Sequence, residues 1–198
     1  MVFLYNLTMP EIVIRVIAAL IFAGLHGALW GSLLQALGDR TPAEQGRLSI
    51  NPFNHIALSG IFMAIMFRTS WIAPLPQHRQ SPWWRPLLAV VLCLGIELML
   101  VPLLDLARPL LHENLNRASG EIALLLVEAL QNILVGAVVI NLLPLPGLAM
   151  GSAVPAIFPA LAKRYRKSVG LGMAAAAILL ILGWFPDLRP MVRWLQLI

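Results

Sequence analysis

VIAALIFAGLHGALWGSLLQAL, residues 16–37, decides the fold. It holds no Asp, Glu, Lys or Arg. As a helix rising about 1.5 Å per residue it would cover the roughly 30 Å hydrocarbon core of a bilayer. The rest of the chain agrees. Of 198 residues, 60% are hydrophobic and 12% charged, with a mean hydropathy of +0.84, where a soluble domain carries about 25% charge. That composition excludes a water-soluble enzyme and a disordered chain. It indicates an integral membrane protein. The single cysteine, Cys93, excludes an intramolecular disulfide framework and a zinc site of several thiolates.

Outward from that run, Gly38, Asp39 and Pro42 supply turn chemistry, and residues 39–55 stay polar. Residues 56–66 are apolar but short for a crossing, and Pro74, Pro76, Pro82 and Pro86 follow. Further runs at 87–106, 121–143 and 168–185 are long enough to span. Residues 188–198 mix Arg189 and Arg193 with Met191, Trp194 and Leu197, the pattern of a helix lying in the headgroup layer. Residues 1–10 lack Lys and Arg, and Glu11 precedes the apolar run, so no cleavable signal peptide is expected.

The net charge of +5 reflects 14 Lys and Arg against 9 Asp and Glu. No basic stripe interleaves with aromatics, so nucleic acid is not an expected partner. If residues 56–76 enter the bilayer and return, four spans remain. One face then carries Arg40, Arg47, Arg68, Arg79, Arg85, Lys163, Arg164, Arg166 and Lys167. The other carries Arg15, Arg108, Arg117, Arg189 and Arg193. A true fifth crossing would even out this asymmetry, and the positive-inside rule favours the four-span arrangement. Lys163, Arg164, Arg166 and Lys167 read as contacts to anionic lipid headgroups. Trp71, Trp83, Trp84, Trp184 and Trp194 read as interfacial anchors.

Two stretches carry a family resemblance. The first is Leu25-His26-Gly27-Ala28-Leu29-Trp30, continued by Gly46-Arg47-Leu48-Ser49-Ile50-Asn51-Pro52-Phe53-Asn54-His55-Ile56. The second is Asn141-Leu142-Leu143-Pro144-Leu145-Pro146-Gly147-Leu148-Ala149-Met150-Gly151. In order and spacing, over roughly residues 15–185, the chain resembles the site-2 protease family of intramembrane zinc metalloproteases. The stretch from Trp71 to Pro76 is similar to a Trp-x-x-Pro-x-Pro segment of one bacterial branch. The resemblance implies an all-helical membrane core of four to five spans with a re-entrant segment, in a bacterial cytoplasmic membrane.

The same resemblance implies a zinc site, and this chain departs from it. The family places a His-Glu-x-x-His motif on its first core helix, so that two imidazoles one turn apart meet one ion and the Glu serves as base. Here His26 keeps the first position, Gly27 replaces the Glu and Trp30 the second His. Ala149 replaces the third ligand, an Asp. The chain therefore resembles a pseudoprotease, with no catalytic residue, metal or cofactor expected. The expected role is a structural or partner-binding subunit of a hetero-oligomeric membrane complex.

Several residues remain as candidates for binding. Gly27 and Gly31 form a Gly-x-x-x-Gly step that lets another helix approach. Glu97 sits mid-span, where an unpaired charge is costly. Glu128, Gln131 and Asn132 share a helix face. Asn141 matches the family Asn that positions a substrate backbone, and here could hold an extended segment of a partner. These groups admit three uses: hydrogen bonds between helices, binding of a partner's polar group, or a proton path or substituted metal site joining His26 to Glu97 or Glu128. The last leaves open an active metalloprotease with replaced ligands, or a small transporter.

Overall fold

The computed structural model describes residues 7–75 and 82–196. Pro76 and Arg79, invoked above, lie outside them, as do Leu197 and Ile198. Among the described residues the chain is helical throughout and contains no strand. Three helices are long and apolar enough to cross a membrane: α1 (Met9–Ala36), α4 (Trp84–Asn114) and α5 (Arg117–Asn141). Between them lie α2 (Thr41–Glu44) and α3 (Leu58–Phe67). After them come α6 (Ala149–Ile157), α7 (Ala162–Lys167), α8 (Val169–Ile181) and α9 (Arg189–Leu195).

Local chemistry sets the ends. α1 starts at a Thr8 cap, whose backbone N–H donates to Glu11 Oε2 at 2.9 Å, with Pro10 in the first turn. It stops where Gly38 adopts φ +94° and the Asp39 N–H returns to Leu34 O at 2.9 Å. α5 starts at Asn116, whose side chain accepts from the Ser119 N–H at 2.9 Å. α1, α4 and α5 pack mutually around Phe22, Trp30, Val90, Leu94, Val101, Ile133 and Leu134, all buried.

Two expectations change. The run at 168–185 yields only α8, thirteen residues and about 20 Å by helical rise, short of the hydrocarbon core. Gly183, at φ +72°, marks its end. Val192 is buried and α9 packs on α4 and α5, while Trp194 stays exposed. Trp71 is not an interfacial anchor but a core residue, 1% exposed. Trp83, Trp84, Trp184 and Trp194 are exposed, as anchors would be.

The short α3 goes out and the chain comes back along it. Ile56 and Ile72 form an antiparallel bridge, and Ala73 N–H donates to His55 O at 2.8 Å. Gly60 makes the fold-back possible, because a Cβ there would sit 2.0 Å from Trp71 O. Trp71 Nε1 donates to Ser59 Oγ and Ser70 Oγ donates to Gly60 O, each at 3.1 Å. Both ends of this hairpin therefore lie at one level, beside the face of α1.

Candidate functional site

His26 lies in the middle of α1, fully buried, with Phe22 and Trp30 one turn to either side. Phe22 stacks on the imidazole at a centroid distance of 5.1 Å, and Trp30 tilts over it at 5.7 Å. From α4, Glu97 brings Oε1 to 2.6 Å from His26 Nδ1, a short buried hydrogen bond. Cys93, one turn before Glu97 on the same helix, places Sγ 3.8 Å from that nitrogen. His26 Nε2 and Glu97 Oε2 are buried with no hydrogen-bond partner. The sequence left Glu97 and Glu128 open as partners of His26; the fold brings Glu97, with the Cys93 thiol beside it, from a helix some 70 residues later. As a lone cysteine, Cys93 excludes a disulfide framework and a site of several thiolates, but not a single thiolate donor. Its i, i+4 spacing to Glu97 is the signal that would have paired them.

The glycine face of α1 is covered by the chain itself. A Cβ on Gly24 would meet Ile50 O at 2.3 Å, one on Gly27 the His55 ring at 2.1 Å, and one on Gly31 Arg47 O at 2.7 Å. Residues 47–55 thus occupy the close approach that Gly27 and Gly31 offered to a partner helix. The segment holds its shape through local bonds. Asn51 Oδ1 accepts from the Phe53 N–H at 3.1 Å, and Arg47 donates to Ala73 O at 2.9 Å. His55 Nε2 lies 2.7 Å from Ser49 O and donates to it, leaving Nδ1 a buried acceptor without a partner. Burial disfavours the charged imidazolium and lowers the His55 pKa.

Asn141, at the end of α5, is also consumed internally. Its side chain donates to Ala137 O at 2.9 Å and Ser70 O at 3.3 Å, and accepts from the Ala149 N–H at 3.1 Å. It ties α5, the α3 hairpin and the start of α6 together, and is 1% exposed. Gln131 belongs to a second polar group. It accepts from Arg108 Nη2 at 2.7 Å and from Gln196 Nε2 at 3.0 Å, and donates to Val101 O at 2.9 Å. Arg108 Nε pairs with the buried Asp105 at 2.7 Å. Glu128 is exposed, and Asn132 donates to its backbone oxygen at 2.8 Å; neither joins His26. Lys163, Arg164, Arg166 and Lys167 on α7 are all exposed.

No family model, curated protein or solved structure matches this chain. The zinc ion implied by the resemblance can therefore be tested only on the residues. It would need ligands at 26, 30 and 149 and a base at 27. The Trp30 indole has an N–H but no ligating lone pair. Ala149 has no ligating side chain and is 2% exposed, its N–H given to Asn141. The His55 ring fills the space beside Gly27. These residues do not fit the ion of the family's site.

Proposed function

We propose that this is a non-cleaving, site-2-protease-like protein of a bacterial cytoplasmic membrane, serving as a structural or partner-binding subunit of a larger membrane assembly. One observation carries the reading: the positions where such a protease keeps its base, second imidazole and carboxylate are filled by the chain's own packing. The His55 ring lies on Gly27, the Trp30 indole is 1% exposed, and Ala149 is locked to Asn141. Peptide hydrolysis needs an open coordination position for water, and nothing there offers one.

Partners then have to bind outside this core. The Gly27–Gly31 step, Asn141, Glu97 and Gln131 are engaged within the chain. Two surfaces remain available: the outward apolar faces of the spanning helices, and the exposed basic residues of α7, which suit anionic lipid or an acidic partner. The test is extraction of the tagged protein from its own membrane in a mild detergent, with the mass of the complex measured and its components identified. The expected outcome is a stable assembly of fixed stoichiometry that cleaves no transmembrane peptide. A lone monomer, or cleavage abolished by His26→Ala, overturns the proposal.

A further inference from the structure

We propose that His26, Cys93 and Glu97 together bind one divalent transition-metal ion of the zinc class in a closed, non-catalytic site. This set shares only His26 with the family positions rejected above and does not depend on the function just proposed.

One ligand atom from each of the three residues lies within 4.8 Å of the others, and all three residues are buried. Imidazole, thiolate and carboxylate are the donors that zinc accepts. With zinc–nitrogen and zinc–sulfur bonds of about 2.05 and 2.3 Å, tetrahedral donors stand about 3.6 Å apart. The observed separation of His26 Nδ1 and Cys93 Sγ is 3.8 Å. Nδ1 and Glu97 Oε1, at 2.6 Å, would have to part to about 3.3 Å for both to bind. That is a small rotation of the carboxylate. The ion replaces the proton lying between these two atoms, and the thiol loses its own.

A second observation points to a ligand. Glu97 Oε2 is buried without a partner, although a buried carboxylate oxygen is costly to leave unpaired. If both Glu97 oxygens bind, the ion has four donor atoms from three protein ligands, and the burial of all three residues is what keeps water from it. Such a site fastens α1 to α4 and hydrolyses nothing.

The test uses the full chain, expressed in medium supplemented with zinc or with cobalt(II) and purified in detergent without chelator. Elemental analysis should find one ion per chain, and the cobalt form should show thiolate-to-cobalt charge-transfer absorption. Cys93→Ser should abolish that absorption, and Glu97→Gln or His26→Ala should lower the metal content at least tenfold. His112→Ala, on an exposed histidine, should change neither. A metal-free wild type, or an unchanged ion content in a folded Cys93→Ser and Glu97→Gln pair, overturns the site. Peptidase activity is read separately: an ion without cleavage upholds the closed site and agrees with the non-cleaving reading, and an ion with cleavage overturns the site's non-catalytic character together with the non-cleaving reading.

Discussion

Two buried polar groups join the same helices and differ in how well they are completed. Near one end of α4, Gln131 accepts from Arg108 and Gln196 and donates to the Val101 carbonyl, and Arg108 Nε, without a hydrogen bond of its own, stands 2.7 Å from Asp105 Oδ1 as an ion pair. Midway along, His26 and Glu97 satisfy each other through one pair of atoms and leave Nε2 and Oε2 unpaired. The first arrangement is what helix adhesion requires in a medium without water: each side chain has a polar or charged partner inside the protein. The second retains polar capacity with no use inside the chain. In a buried site such a deficit costs stability, and it marks the place where a ligand would repay the most.

That contrast can be broken by mutation. Asp105→Ala leaves Arg108 beside Gln131 without its counter-charge. The cost should be about 3 kcal/mol, the low end for a broken buried pair because Arg108 keeps a quarter of its side chain exposed. Thermal unfolding in detergent measures it, and a loss below about 1 kcal/mol would mean that the network does not hold α4 to α5. Gly27→Ala comes next. Its methyl would overlap the His55 ring, so the 47–55 segment must lift from α1, at about 2 kcal/mol. Faster proteolysis within that segment reports the lifting; unchanged proteolysis and stability would show that the glycine face tolerates a side chain. Gln196→Ala is the smallest, about 1 kcal/mol for one hydrogen bond between α9 and α5. Hydrogen exchange in α9 should rise while that of α1 stays as it was.

Much of the scaffold was legible in the sequence. The apolar runs beginning at residues 16, 87 and 121 became α1, α4 and α5, because hydropathy over twenty residues reports directly on what a bilayer accepts. The same measure overran at residues 168–185, where apolar composition continues through residues that no longer keep helical geometry, Gly183 among them. It also could not distinguish Trp71 in the core from Trp194 in the open, since an indole suits both places. The site was legible only in part. His26 and Glu97 were each visible as polar groups in apolar surroundings, but their meeting depends on how α1 and α4 cross, and no local pattern encodes that. Gln131 was grouped with Glu128 and Asn132 by spacing, yet its partners Asp105, Arg108 and Gln196 come from α4 and from beyond α9. Gly27 and Gly31 announced a close approach; what approached was the chain's own loop, which also covers Gly24.

The distance along the chain between His26 and Glu97 also sets a schedule. The two are 71 residues apart, and at about 5–20 residues per second a ribosome needs roughly 4–14 s to make the second after the first. Throughout that interval the imidazole of the nascent first helix lacks its partner Glu97. A metal ion or an insertion factor that reaches it then arrives ahead of Glu97, and translation speed becomes a variable in how the site is filled.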